Sequence, residues 1–110
     1  MGDLGEDFAA SYLRHCGYRI IERNFRCRLG EIDIIAQEGK DLVFIEVKTR
    51  RSRRFGCPQE AVTLAKQAKL RAVAACFLQR YKKSVPCRFD VLAITMEGGM
   101  AKPELIRNAF

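Results

Sequence analysis

The chain has no tryptophan, one histidine (His15) and only three prolines in 110 residues. Its longest apolar run, Ala72 to Leu78, is far shorter than the roughly 20 residues that cross a bilayer. Its five cysteines, at positions 16, 27, 57, 76 and 87, are an odd set without a C-x-x-C pair, and one histidine cannot complete them into a zinc site. They read as reduced thiols packed as small hydrophobes. The opening Met1-Gly2-Asp3-Leu4-Gly5-Glu6 has no basic or apolar leader segment and lacks the Ser or Thr of a myristoylation signal. The expectation is a cytoplasmic protein. No repeat, low-complexity tract or Pro/Ser-rich linker interrupts the chain, so a single domain over 1–110 is expected.

What is present is charge and apolar patterning. Twenty Lys and Arg against 13 Asp and Glu give a formal charge of +7, which draws polyanions and makes nucleic acid, DNA first, the expected partner. The basic residues do not back an apolar helix face, so no membrane partner is expected. With 48% hydrophobic residues, a chain of this size buries roughly two-thirds of its unfolded surface and needs no disulfide or structural metal to fold.

Leu4, Phe8, Tyr12, Leu13 and Cys16 recur at helical spacing and Gly17 follows as a stop, which predicts a first helix. Tyr18 to Phe25 and the alternating Glu31 to Gln37 read as strands. Glu38-Gly39-Lys40-Asp41 offers a type II′ hairpin turn with Gly in its first central position, and Leu42 to Thr49 resumes strand character. After a basic loop, Glu60 to Tyr81 carries Leu70, Val73, Ala74 and Phe77 at helical offsets. Cys87 to Met96 reads as a strand, Glu97 to Met100 as a turn, and Glu104 to Arg107 as a short edge strand. The order is αβββαβ(β), a mixed α/β sheet flanked by helices.

A hairpin turning about Gly39-Lys40 pairs residues whose numbers sum to 79, so Asp33 faces Glu46, Glu31 faces Lys48, and all four share one face. Opposed residues have Cβ atoms ~4.5–5.5 Å apart, and like charges there destabilise a sheet. A divalent cation offsets the acid pair, since Mg²⁺ or Mn²⁺ takes one or two carboxylates with waters and phosphate oxygens. The alternatives are a slipped register or a salt-bridge cluster with Lys48 and nearby arginines. Phe44-Ile45-Glu46-Val47-Lys48 sets two charges on one face of a strand whose other face is apolar, which favours a site. Lys48 lies about 6.5–7 Å along the strand from Glu46, within reach of an attacking water or a phosphate oxygen. Phosphodiester hydrolysis is the implied chemistry, a cation polarising the phosphoryl group and Lys48 stabilising the developing charge. Glu6 offers a further carboxylate, or is simply an acid favoured in a first helical turn.

At these residues the chain resembles the YraN-like family of uncharacterised bacterial proteins, a family assigned to the restriction-endonuclease-like PD-(D/E)XK superfamily that includes archaeal Holliday-junction resolvases. The likeness runs through Gly5-Glu6-Asp7-Phe8-Ala9-Ala10, Arg23-Asn24, Gly30 to Ala36, Val43 to Arg50, Arg88-Phe89-Asp90-Val91 and Asn108-Ala109-Phe110. It implies a restriction-endonuclease-like fold. Asp33 becomes the superfamily's first motif acid, Glu46 and Lys48 its E-x-K pair, and Glu6 the first-helix acid of resolvase-type members. Glu6, Asp33 and Glu46 are thereby implied metal ligands. Lys66-Gln67 resembles the polar motif of the following helix, and helical spacing allows Lys66 to face the sheet. Ile32 stands where many members have proline.

Lys48-Thr49-Arg50-Arg51-Ser52-Arg53-Arg54 leaves the site strand with five cations in seven residues, suited to phosphate contacts or to a solvated loop. Arg50, Arg51, Arg53 and Arg54, with Lys66 and Gln67, are the expected nucleic-acid contacts. Arg80, Lys82 and Lys83 sit where a helix C-terminus favours cations anyway. The absence of interleaved aromatics places backbone and shape recognition ahead of base reading. The expected function is a metal-dependent endonuclease acting on DNA, branched or structured DNA included. The alternative is a non-catalytic nucleic-acid-binding module of the same fold. A homodimer is expected by analogy with resolvases.

Overall fold

The computed structural model describes residues 4–51, 62–81 and 83–110. Helix α1 (Leu4–His15) leads into strands β1 (Arg19–Cys27), β2 (Gly30–Glu38) and β3 (Asp41–Arg50). Helix α2 (Leu64–Arg80), β4 (Cys87–Glu97) and β5 (Met100–Ile106) follow. The expected order of elements holds. The five strands lie side by side in chain order, antiparallel except for β3 and β4, which run parallel with α2 as their crossover.

Burial explains the layering. β4 from Phe89 to Thr95 is buried throughout, the near-continuous apolar run that a central strand covered on both faces requires. On one face Leu70, Val73, Ala74 and Phe77 of α2 pack on Leu42, Phe44, Phe89 and Val91. On the other, Ala9, Ala10 and Leu13 of α1 pack on Ile34, Val43, Ile45, Leu92 and Ile94. Phe77 meets both Phe25 and Phe44 edge-on, at centroid distances of 5.3 and 6.1 Å. Truncating it to alanine should cost about 3–5 kcal/mol.

The hairpin register is the expected one from Glu38–Asp41 to Ile34–Ile45, every pair summing to 79. Gly39 takes φ +58° while Lys40 does not turn positive, the pattern of a II′ rather than a I′ turn. Two boundaries differ from expectation by four residues, the others by two at most. α2 begins at Leu64 rather than Glu60. Thr63, with extended backbone, is its N-cap, and its hydroxyl accepts the Lys66 N–H at 3.2 Å. β5 runs from Met100 rather than Glu104 and includes Pro103, which an edge strand tolerates because one side of its backbone needs no partner.

At the turn end of the β2–β3 hairpin an ionic clasp ties the C-terminal segment down. Asp90, wholly buried, accepts from the Tyr18 hydroxyl at 2.6 Å, the Asn108 N–H at 2.9 Å and Arg88 Nε at 3.1 Å. Arg88 also pairs with Glu38 and, at 2.6 Å, with Asp41; Arg107 reaches Glu38 at 2.9 Å. Hydrogen bonds from Arg107 and then Arg88 outweigh burial and hold the Glu38 carboxyl down at about 2. The Ala109 N–H donates to the Phe89 carbonyl at 2.7 Å, and Phe110 stacks on Phe89.

Candidate active site

The opposite end of the same hairpin opens. Past Ile34–Ile45 the β2–β3 ladder stops, while β2 stays paired with β1 to Gly30 and β3 stays paired with β4 to Arg50. Each strand keeps its outer neighbour and the seam between them parts. Asp33 and Glu46 are the first residues beyond the last pair. They are therefore not a regular cross-strand pair as the register alone implied. The Asp33 carboxylate instead accepts the Val47 N–H at 2.8 Å, and the Glu46 carboxyl lies near enough to act on it. Glu31 and Lys48 likewise lie beyond the last β2–β3 pair; on its β1 side Glu31 pairs with Arg26 and binds that guanidinium at 2.8 Å.

The parted seam floors a cleft of about 740 Å³ under the start of α2, where Glu31, Asp33 and Glu46 face Lys48, Lys66 and Lys69. Gly30 lets the helix come this close. A Cβ there would lie 3.2 Å from Val73 Cγ2, and its φ of +144° suits glycine. Lys66 Nζ sits 2.7 Å from Glu46 and Lys48 Nζ 3.4 Å from the same carboxylate. Lys66 thus points at the site, as the helical stripe allowed.

The electrostatics follow from burial and crowding. Burial pushes Asp33 up to about 7; the Val47 N–H opposes this, and the adjoining charge of Glu46 adds to it. Burial also penalises a charged Glu46, but the bonds from Lys66 and Asp33 outweigh it and hold Glu46 below the usual glutamate value. Burial and the Glu46 charge therefore favour a proton on Asp33, while Lys66 favours an ionised Glu46. Burial and the neighbouring Lys66 lower Lys48, while Lys66, bonded to Glu46, is raised.

On the α1 face of the seam, Asp33 also borders a small cavity of about 100 Å³ with Gly5, Glu6, Val47 and Thr49. Asn24 holds Glu6 there through Nδ2 at 3.3 Å, and Arg23 binds Asp7 at 2.8 Å. Asn24 adopts φ +55°, which asparagine tolerates better than most residues. Among the described residues no three Asp, Glu, His or Cys side chains converge as a ready metal cage. Asp33 and Glu46 form the close pair, and Glu6 approaches from the other face.

Of the expected polyanion contacts, Arg50 ends β3 with Nε 3.4 Å from the Thr95 hydroxyl, and Arg51 is exposed. The Gln67 amide turns back to the Val62 carbonyl at 3.0 Å, steadying the entry to α2. Arg53 and Arg54 lie outside the described residues. Sequence reasoning missed Lys69 and the part played by Asn24. Lys69 carries a signal, being one helical step from Lys66 on the same stripe; Asn24 carries only its place in the family resemblance and its tolerance of positive φ.

Comparison with known proteins adds a family. Residues 5–94 match the model of the uncharacterised protein family UPF0102, which agrees with the YraN-like resemblance. A UPF0102 protein of Caldicellulosiruptor saccharolyticus is 50% identical over 100% of this chain and 96% of its own length. Those of Symbiobacterium thermophilum and Geobacter sulfurreducens are each 53% identical over 100% of this chain, covering 95% and 88% of their own lengths.

Proposed function

The chain belongs to UPF0102, an uncharacterised protein family, and we propose that it is a metal-dependent endonuclease that hydrolyses phosphodiester bonds in DNA, built on the restriction-endonuclease-like PD-(D/E)XK plan. One observation carries this reading: two carboxyl groups, Asp33 and Glu46, are pressed together at the only part of the β2–β3 seam that opens, with Lys48 3.4 Å from Glu46. A purely structural pair would be expected to carry arginine partners, as Asp90 and Glu38 do. Two oxygen-donor side chains, with room in the cleft for water and phosphate, fit a hard cation such as Mg²⁺ or Mn²⁺. When bound, such a cation polarises phosphoryl oxygens and makes water more acidic.

The chain's own groups do the rest. Asp33 would release its proton to solvent in the open cleft, so that both carboxylates serve as oxygen donors. Lys48, held below the usual lysine value, orients the attacking water or steadies charge on the phosphoryl oxygens. Lys66 and Lys69 line the opposite wall, where they meet the phosphates flanking the scissile bond. Arg50 and Arg51 extend the basic track beyond the strand.

A second reading is a nucleic-acid-binding module without turnover. It draws on the 2.7 Å contact of Lys66 with Glu46, by which a cation of the chain itself already neutralises the acid. Incubating supercoiled, linear and branched DNA with Mg²⁺ or Mn²⁺ separates the two. The nuclease reading requires cleavage by the wild type and none by Asp33→Asn or Glu46→Gln. Binding that ignores divalent cations and survives Glu46→Gln, with no cleavage, establishes the second.

A further inference from the structure

An apolar cavity of about 350 Å³ adjoins the acid seam on the α1 face, lined by Gly5, Phe8, Thr49, Ile94, Met96 and Ala101. Two of these, Gly5 and Thr49, also line the small cavity that holds Glu6 and Asp33. The acidic and apolar spaces are therefore neighbours that share part of one wall. The alternation of β3 explains the arrangement: Val47 and Thr49 face α1, whereas Glu46 and Lys48 face α2, and Asp33 borders both sides at the parted seam.

Among the described residues no ionisable side chain lines the apolar cavity, so their lining does not suit a phosphate or a cation. Its chemistry suits a flat, uncharged ring: the Phe8 ring, itself stacked on Tyr12 at a centroid distance of 6.3 Å, the polarisable Met96 thioether, and the Thr49 hydroxyl for an edge hydrogen bond. Base stacking on aromatic side chains tolerates any sequence because every base has a π-face. Met96 is 42% exposed, which leaves the entrance side open. The exposed Arg51 supplies positive charge just past the same end of β3, complementary to the sugar-phosphate chain to which such a ring is attached.

We propose that this cavity is a subsite for one unpaired nucleobase, adjoining the phosphate held at the Asp33–Glu46 seam. The inference rests on the nuclease reading for the identity of its ligand and deepens it. The substrate then carries a base free of its partner beside the scissile bond, as at a bulge, a nick or a branch point. Paired bases in a continuous duplex cannot enter without being extruded, at the cost of unstacking.

The test uses the full chain in EDTA, so that no cleavage is needed. Two duplexes of one sequence are compared, one with a single bulged 2-aminopurine and one with the same base paired. Wild type is expected to bind the bulged duplex about tenfold more tightly and to change 2-aminopurine emission. Phe8→Ala, which removes the stacking ring, and Ala101→Ile, which fills the cavity, should each lose that preference and the emission change while keeping the affinity for continuous duplex. Circular dichroism checks both folds, and Ala101→Ile serves if Phe8→Ala does not fold. Unchanged bulge preference and emission in Ala101→Ile would overturn the subsite. So would a concentration-dependent dimer, seen by sedimentation, that Ala101→Ile dissociates, since a second copy then occupies the cavity. Cleavage in Mn²⁺ with no capture of the base leaves the nuclease reading standing and sinks the subsite; capture with no cleavage in any metal does the reverse.

Discussion

The two ends of the β2–β3 hairpin carry acids under opposite regimes. At the turn end, Glu38, Asp41 and Asp90 surround the guanidinium of Arg88, Arg107 adds a second, and Glu38 falls to about 2. At the open end, Asp33 and Glu46 lie close together, lysines are their cationic neighbours among the described residues, and Asp33 rises to about 7. Arginine's planar fork satisfies several carboxylate oxygens at once and fixes them. Lysine is a point charge on a flexible stem that can yield its place to another cation or turn to a phosphate. The turn end is built to hold; under the proposed function, the open end exchanges what it holds.

The largest expected effect breaks the clasp. Arg88→Ala leaves Asp90 buried without its cation, and should cost about 3–5 kcal/mol, lowering the melting temperature by well over 10 °C or preventing folding. A shift of only a few degrees in a thermal melt would mean that the clasp is not structural.

At the open end the same kind of truncation should act on function instead. Lys48→Ala should lower DNA cleavage about 10²–10³-fold, the usual cost of one charge-stabilising donor, with the melting temperature nearly unchanged. Its Mg²⁺ affinity, read by calorimetry, should stay close to wild type, whereas Asp33→Ala should lose both affinity and cleavage. Equal activity in the two variants would refute these roles.

Neutral amides at the two ends should give mirror-image pH profiles. Asp33 has a folded pKa of about 7, above the unfolded value of about 3.9. The stability its protonated form contributes is complete below pH ~4 and is lost as pH rises through ~7. Asp33→Asn keeps an acceptor for Val47 and gains a permanent donor for Glu46. Without metal it should be more stable than wild type at pH 8, by about 1–3 kcal/mol after discounting for partial exposure, and no more stable at pH 4. Glu38, lowered to about 2, contributes stability above pH ~4 that is lost as pH falls through ~2. Glu38→Gln should therefore destabilise at pH 7 by about 1 kcal/mol, allowing for solvent screening, and be neutral near pH 2. Denaturant melts across this range check both; parallel profiles would erase the contrast.

The smallest effect lies at the rim. Arg51→Ala should weaken DNA binding only a few-fold and reduce the salt dependence by about one counterion. An unchanged salt slope in titrations at several ionic strengths would remove Arg51 from the phosphate track.

The sequence foretells the hairpin register because turn chemistry at Gly39 and the apolar alternation of β3 agree on one pairing. It likewise brings Asp33, Glu46, Lys48 and Lys66 together. It does not foretell that the ladder ends at Ile34–Ile45, because that depends on β2 and β3 following different outer neighbours. Nor does it show Asn24 turning to positive φ to hold Glu6, since an asparagine in a strand-like run has no periodicity to betray it. The Arg88 clasp brings together residues up to 72 positions apart, and only the packed sheet makes them neighbours.

The central claim is that Asp33 and Glu46 are held in a state that a divalent cation relieves. Its most direct test is carboxyl-carbon NMR titration of Asp33 with and without Mg²⁺. The account predicts an apparent pKa near 7 without metal and a marked fall when Mg²⁺ is added. An ordinary value near 4, unmoved by Mg²⁺, would contradict it.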